Sequence, residues 1–172
     1  MSTRVCVVVG NPRAGSRTRA VGEAVARKLA VAAGDGTDVR VVELADVGPD
    51  LLDWSSPAVD GLRTDVRSAT ALVVATPTYK ASYTGLLKLF LDRFDAGELG
   101  GVPTVAVMTG GSSAHALAVD VHLTPVLVEI GASCPARGLY VWGPDQDAPE
   151  AAVERWWVGA GPALQRALRR TV

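Results

Sequence analysis

Short apolar runs rich in β-branched residues alternate with segments of helical periodicity, and this alternation restricts the fold more than any other feature. The first run, Arg4–Val9, is apolar from its second residue onward, and Ala71–Ala75 is apolar throughout. Such runs are typical of strands that are buried on both faces of a parallel sheet. The sequence predicts five strands: Arg4–Val9, Asp38–Leu44, Ala71–Ala75, Val102–Met108 and Gly138–Trp142.

The segments that separate and follow these runs have the period of amphipathic helices. From Ser16 onward, Val21, Val25 and Leu29 recur every four residues, which places them on one helix face. The other predicted helices cover Val59–Ser68, Gly85–Phe94, Ala114–Ile130 and Ala151–Leu168. In the last helix, Gly159–Pro162 predicts a kink or a split, because proline cannot donate the helical hydrogen bond.

Strands that alternate with helices predict a parallel sheet covered on both faces. Right-handed crossovers leave few topologies. Five strands favour an α/β, flavodoxin-like three-layer sandwich with strand order 2-1-3-4-5 over the six-stranded dinucleotide-binding fold. We expect residues 1–172 to form one such domain. Ligands of these sheets bind beyond the carboxyl ends of the strands, so the loops after strands one, three and four are expected to carry the function.

The composition excludes several classes of function. Hydrophobic residues make up 48% of the chain and charged residues 20%, and the formal net charge is -1. Nothing therefore favours disorder, nucleic-acid binding or attraction to an anionic membrane. No apolar stretch is long enough to span a bilayer, and we expect a cytoplasmic protein. Cys6 and Cys134 lie far apart and without a C-x-x-C pattern, so neither a disulfide framework nor a metal site is expected.

The loop after the first strand, GNPRAGSRT at residues 10–18, has the glycine spacing of an ATP-binding P-loop. A P-loop continues with Lys and then Ser or Thr, but this chain has Ser16 and Arg17 there. The backbone N–H groups and the dipole of the following helix favour an anion. Four side chains add donors: Arg13, Ser16, Arg17 and Thr18. A terminal monophosphate fits better than ATP or GTP, and the alternative is a structural turn whose arginines are solvated.

The loop after the third strand begins Pro77, Thr78, Tyr79, Lys80. A planar ring could stack on Tyr79 or lie along the backbone of residues 77–80, and Lys80 could meet a carbonyl or a phosphate. The alternative is a proline-anchored turn whose tyrosines lie in an oligomer contact.

The loop after the fourth strand contains Gly110, Gly111, Ser112 and His115. The glycines allow the backbone to approach a ligand closely, and their N–H groups could donate to ring carbonyl oxygens. His115 lies in the first turn of the predicted helix, and a lone histidine is usually a surface or structural residue, so we do not expect it to act as a general base. A phosphate at the first loop and a flat polar ring between the other two describe FMN.

Three segments match a known family: VVVGNPRAGSRT, ALVVATPTYKASYTGLLKLFLDRF and TGGSSAHALAVDVHLTPVLVEIGA. The chain resembles the NAD(P)H-dependent FMN reductases of flavodoxin-like fold, and most closely those that supply reduced flavin to alkanesulfonate and methanesulfonate monooxygenases. The resemblance implies that the FMN phosphate is held by Arg13, Ser16, Arg17 and Thr18. It implies that Pro77, Thr78, Tyr79 and Lys80 border the isoalloxazine, with Gly110, Gly111, Ser112 and His115 on its far rim.

The resemblance also implies that hydride passes from NADPH or NADH to N5 of FMN, and that reduced FMN goes to a partner flavin-dependent monooxygenase. No catalytic acid, base or nucleophile is expected, because the flavin carries the chemistry. Three alternatives stay open: a quinone, azo or chromate reductase with tightly bound FMN, an electron carrier of flavodoxin type, and an interaction module that has lost the flavin. A net charge of -1 speaks against the carrier, since such carriers are strongly acidic. A homodimer or a homotetramer is expected.

The chain departs from the family at one position. Close relatives carry an aromatic residue or histidine directly after the Asp of the AVD segment, on a helix that can contain a π-bulge at a tetramer interface. Here Val121 takes that position and His122 follows it. Pro125 cannot donate to the carbonyl of Val121, so an irregular helix is still expected there.

Overall fold

The computed structural model describes residues 3–170, and its strands form one parallel sheet. The strands are β1 (Arg4–Val9), β2 (Asp38–Glu43), β3 (Ala71–Pro77), β4 (Thr104–Gly110) and β5 (Leu139–Trp142). Their order is β2-β1-β3-β4-β5, which confirms the predicted flavodoxin-like topology. Strand β4 begins and ends two residues later than predicted, so that Gly110 is its last residue.

The helices are α1 (Arg17–Ala33), α2 (Pro57–Arg67), α3 (Gly85–Leu91), α4 (Thr124–Glu129) and α5 (Pro149–Leu168). Short 3₁₀ turns occupy Leu44–Val47, Pro49–Leu52, Ser113–His115 and Gly143–Asp147. The helices form two layers, with α1 and α5 on one face of the sheet and α2, α3 and α4 on the other.

The core has one apolar layer on each face of the sheet. Val5, Val7 and Val9 of β1 belong to the layer shared with α1 and α5. Cys6 and Val8 belong to the opposite layer. Each of the five is at most 1% exposed, and full burial of a valine side chain contributes about 1.5–3 kcal/mol. The uninterrupted apolar run is therefore explained by helices on both sides of a central strand.

The predicted split of the last helix does not occur, because α5 continues through Pro162. The missing proline N–H would have bonded the carbonyl of Val158, four residues earlier. Val158 is 82% exposed, so water can serve that carbonyl. The residue before Pro162 must be small, since a Cβ on Gly161 would lie 2.6 Å from the indole nitrogen of Trp157.

The predicted helix at 114–130 is irregular, as its proline indicates. It consists of the 3₁₀ turn Ser113–His115, a π-helical segment at Val119–Leu123 and then α4. The Thr124 hydroxyl donates to the Val119 carbonyl at 3.0 Å, and Pro125 stands in the first turn of α4. The π-helical turn thus ends two residues before Pro125, the residue that lacks a donor.

Candidate functional site

A cleft of about 460 Å³ opens at the carboxyl ends of the strands. The loop after β1 contributes residues 11 and 13–18, the end of β3 and its loop contribute residues 77–79, and the end of β4 and its loop contribute residues 109–111. Gln146, in the turn after β5, completes the lining. A larger hollow of about 540 Å³ lies near the amino end of β4 and the end of α5 and gathers none of the predicted residues.

Nine of the twelve predicted site residues line the cleft: Arg13, Ser16, Arg17, Thr18, Pro77, Thr78, Tyr79, Gly110 and Gly111. The other three, Lys80, Ser112 and His115, are exposed and lie outside the lining. The sheet topology brings the three loops together, because β1, β3 and β4 are neighbours that end at the same edge.

The loop after β1 is shaped by local hydrogen bonds that lead into α1. The Asn11 side-chain oxygen accepts the Arg13 N–H at 2.9 Å. Ser16 is the N-cap of α1, and its hydroxyl accepts the Arg19 N–H at 3.3 Å. Gly15 has a φ of +64°, a left-handed conformation that favours glycine. The result is a tight turn that directs the start of α1 toward the cleft.

The two arginines of this loop differ in their surroundings. The Arg17 guanidinium lies 3.4 Å from the Asp147 carboxylate, and both side chains are largely exposed. Arg13 is exposed, and its guanidinium has no ion-pair partner within residues 3–170. Arg13 is thus a free cation beside a helix N-terminus, a combination that favours an anionic ligand.

A buried polar contact joins this loop to β4. The hydroxyl oxygens of Thr18 and Thr109 lie 2.7 Å apart, and the Asn11 amide donates to Thr18 at 3.1 Å. Thr18 and Thr109 are each 2% exposed. The Thr18 hydroxyl is therefore engaged within the protein, and it fixes the distance between the first and third loops.

Glu43, at the end of β2, anchors the same loop. Its carboxylate oxygens lie 3.0 Å and 3.3 Å from the Gly15 nitrogen, which donates to them. The Arg19 guanidinium donates to Glu43 at 2.8 Å and to Glu23 at 2.7 Å. Hydrogen bonds to Glu23 and Glu43 raise the pKa of Arg19. Arg19 therefore stays positively charged and pairs with the Glu43 side chain, which is only 7% exposed.

The loop after β3 contains a strained turn. Tyr79 and Ser82 bond each other's backbone, with N–H to O distances of 2.8 Å and 3.1 Å. Between them Lys80 and Ala81 have φ values of +51° and +64°, which side chains other than glycine adopt at a cost. The turn leaves Tyr79 50% exposed on the rim of the cleft, and Lys80 is not among the lining residues.

The loop after β4 packs on Tyr140 of β5. The Tyr140 hydroxyl donates to the Ser112 carbonyl at 3.2 Å and lies 3.5 Å from the Thr78 hydroxyl. A Cβ on Gly110 would lie 2.0 Å from that tyrosine oxygen. Gly110 is therefore required for the close packing of β4 against Tyr140.

Five lining residues were not predicted: Asn11, Ala14, Gly15, Thr109 and Gln146. Four of them lie inside or next to the predicted loops, so their position in these loops could have identified them. Gln146 follows a strand that was not expected to carry function, and no pattern in the sequence marks it. Glu43 contacts the loop from outside the lining and likewise had no local signal.

The chemistry available in the cleft is that of hydrogen bonding and positive charge. Within the described part of the chain, no three His, Cys, Asp or Glu side chains come together so as to hold a metal ion. Burial raises the pKa of Cys6 to about 12 and that of Cys134 to about 11, so neither thiol is an ionised nucleophile near neutral pH. Across residues 3–170, no helix has the length and apolar character of a membrane span.

The sequence matches a family model described as NADPH-dependent FMN reductase over residues 3–147. It is 38% identical over 142 residues to an FMN reductase (NADPH) of Escherichia coli K12, which covers 80% of this chain and 72% of the relative. It is also 38% identical over 142 residues to the NADH-dependent FMN reductase SfnF of Pseudomonas putida, covering 80% and 76% of the two chains.

A solved oxidoreductase from Corynebacterium diphtheriae has a similar fold. It superposes with a TM-score of 0.81, covers 99% of each chain and is 28% identical in sequence.

Proposed function

The chain belongs to the NADPH-dependent FMN reductase family, and from that premise we propose that FMN binds in the cleft at the carboxyl ends of β1, β3 and β4. One observation carries the proposal. The N-terminus of α1 and Arg13, which has no ion-pair partner within residues 3–170, open into the same cleft as Gly110 and Gly111 at the end of β4. These are the donors that a phosphate and a polar ring need at opposite ends of one ligand.

The phosphate end of the cleft is proposed to be the loop after β1. Arg13 would bind the phosphate directly. Ser16, as the N-cap of α1, would hold the first turn of the helix facing the phosphate. Arg17 would also bind the phosphate after giving up its contact with Asp147. This costs little, because an exposed ion pair of this kind contributes about 0–1 kcal/mol. Thr18 would act by holding the loop against Thr109, since its hydroxyl already has partners within the protein.

The ring end is proposed to lie between the two other loops. Pro77, Thr78 and Tyr79 would border one edge of the isoalloxazine, and Gly110 and Gly111 the other. Three residues beyond the lining would contact only the outer rim of the ligand: Lys80, Ser112 and His115.

Bound FMN would supply the redox chemistry by accepting at N5 a hydride from C4 of the nicotinamide. The protein's part is to bind and orient. Backbone N–H groups of Gly110 and Gly111 would balance negative charge on the ring. The exposed Tyr79 leaves one side of the cleft open to a second planar ring, so that the two rings can meet in contact distance. No side-chain acid or base is required.

We further propose that reduced FMN leaves the cleft for a separate flavin-dependent monooxygenase, and that the enzyme works in the cytoplasm, where reduced nicotinamides are regenerated. The open rim supports release. A homodimer or homotetramer is part of the proposal, and exposed apolar residues such as Leu117, Val121 and Val128 support it.

The test is NADPH or NADH oxidation by the purified protein with and without added FMN. We expect oxidation that saturates with FMN, and reduced flavin that passes an ultrafiltration membrane under anaerobic conditions. Reduced flavin that stays with the protein would favour the azo- or quinone-reductase alternative. A protein that neither binds FMN nor oxidises a nicotinamide would overturn the proposal.

A further inference from the structure

Gln146 is the one residue of the cleft lining that comes from the turn after β5. It is 9% exposed. It also lines the cleft, so part of this largely buried side chain borders the ligand site. Gln146 is thus a polar side chain enclosed by the protein at the edge of a ligand site.

The orientation of the Gln146 amide is fixed by two backbone carbonyls. Its nitrogen Nε2 donates to the Gly110 oxygen at 2.8 Å and to the Gly143 oxygen at 3.4 Å. The reversed amide would place its oxygen against two carbonyl oxygens, which repel it and accept no hydrogen bond. Oε1 is therefore the amide atom that these two carbonyls do not engage.

This oxygen has no hydrogen-bond partner among residues 3–170. It is also absent from the side-chain atoms that are sealed from solvent without a partner. It is a pre-oriented acceptor in a cleft whose other groups are mostly donors. A ligand seated there must offer an O–H or N–H to this point, or the acceptor is left unsatisfied.

The position of Gln146 indicates which part of the ligand it meets. The next residue, Asp147, contacts Arg17 at the phosphate end. The Gln146 amide itself holds Gly110 at the ring end. Gln146 therefore lies between the two ends, where a flavin mononucleotide carries its ribityl chain with three hydroxyl donors.

We propose that Gln146 accepts a hydrogen bond from a ribityl hydroxyl of the flavin and so selects flavins that carry a ribityl chain. The inference rests on the proposed function, since it assumes a flavin in the cleft. It adds a specificity-determining contact that does not depend on the phosphate.

The experiment compares riboflavin with lumiflavin, which has the same ring but no ribityl chain, by quenching of flavin fluorescence. Two variants are used. Gln146→Leu removes both the donor and the acceptor. Gln146→Lys removes the acceptor, keeps a donor for the Gly110 carbonyl and adds a positive charge, and the two flavins compared are both uncharged. Gln165→Leu, at an exposed position of α5, is the matched control. Thermal unfolding of each variant reports whether it is folded.

We expect both Gln146 variants to bind riboflavin about three- to ten-fold more weakly, the size of one hydrogen bond between neutral groups, with lumiflavin binding unchanged. The control should match the wild type for both ligands. Equal losses for riboflavin and lumiflavin would assign the contact to the ring and overturn the proposal, as would no loss for either. A wild-type protein that binds no flavin would instead refute the proposed function.

Discussion

The hydroxyl oxygens of Thr18 and Thr109 lie 2.7 Å apart and join the first turn of α1 to the end of β4. The two residues are 91 positions apart in the chain and both are buried. Because α1 begins at the proposed phosphate site and β4 ends at the proposed ring site, this contact sets the span between them.

Thr18→Val should therefore lower both stability and affinity. The substitution keeps the shape of the side chain and leaves Thr109 and the Asn11 amide without their buried partner, at a cost of about 1–3 kcal/mol. We expect a lower free energy of unfolding in urea and weaker FMN binding. Thr64→Val, at an exposed site on α2, is the control and should change neither. Unchanged FMN affinity in a folded Thr18→Val protein would contradict a role in spacing the loops.

Arg13→Ala should weaken FMN binding more than Arg17→Ala. Arg13 has no ion pair to give up among the described residues, whereas Arg17 must leave Asp147. Loss of a hydrogen bond to a charged phosphate costs about 1.5–3 kcal/mol, so we expect an FMN affinity about ten- to a hundred-fold lower for Arg13→Ala. Hydride transfer in the FMN-saturated variants should change far less.

Riboflavin provides the internal control for these arginines, since it lacks the phosphate and its affinity should not respond to either substitution. Arg169→Ala, exposed just after α5, controls for the loss of positive charge. If Arg13→Ala weakened riboflavin and FMN equally, the phosphate would have to bind elsewhere.

Glu43 is expected to hold the loop after β1 in its binding conformation. Glu43→Ala leaves the Gly15 N–H without its acceptor and the Arg19 guanidinium with Glu23 alone, so we expect weaker FMN binding with a smaller effect on riboflavin. Glu43→Gln keeps an oxygen for the Gly15 N–H and should recover most of the lost affinity. Fluorescence titration measures both ligands. A Glu43→Gln variant as weak as Glu43→Ala would show that the negative charge, and not the hydrogen bond to the loop, is what matters.

Acid should destabilise the protein through Glu98. Burial alone would raise the pKa of this carboxyl, but hydrogen bonds from the Arg63 side chain and the Asp95 N–H lower it overall. The pKa of Glu98 is thus lower in the folded protein than in the unfolded chain, where it is about 4.5. Ionised Glu98 therefore stabilises the fold above about pH 4.5, and this stability is lost as the pH falls through the folded pKa.

Urea unfolding at pH 7 and at about pH 4 measures this contribution. Glu98→Gln should be less stable than the wild type at pH 7 and should lose less stability on acidification. Glu129→Gln, exposed on α4, should follow the wild type at both pH values. An acid dependence of Glu98→Gln equal to that of the wild type would assign the effect to other groups.

Ala81→Gly should stabilise the protein. Ala81 has a φ of +64° in the turn after β3, where a side chain costs about 1–2 kcal/mol and glycine costs little. After the greater freedom of glycine in the unfolded chain is subtracted, we expect a gain of about 0.5–1 kcal/mol in the free energy of unfolding. Ala163→Gly, inside α5, should show a loss of about 1 kcal/mol instead. A loss of stability for Ala81→Gly would mean that the turn is not strained.

The sequence by itself determined the features that depend on local patterns. Short runs rich in apolar and β-branched residues identified the strands, and their alternation with helices led to the observed sheet order. Pro125 marked the irregular helix, and the glycines and hydroxyl residues of GNPRAGSRT marked a loop that lines the cleft. The split that Pro162 suggested was wrong, because α5 continues through this residue near the exposed Val158.

The tertiary structure alone decided how the loops are held together and what else reaches them. Glu43 meets Gly15 across 28 positions, and Gln146 meets Gly110 across 36. The tertiary structure also left Lys80, Ser112 and His115 outside the cleft lining. The physical reason is that periodicity and turn chemistry report the neighbours of a residue along the chain. Contacts between strand ends depend on the order and register of the strands, which exist only once the sheet has formed.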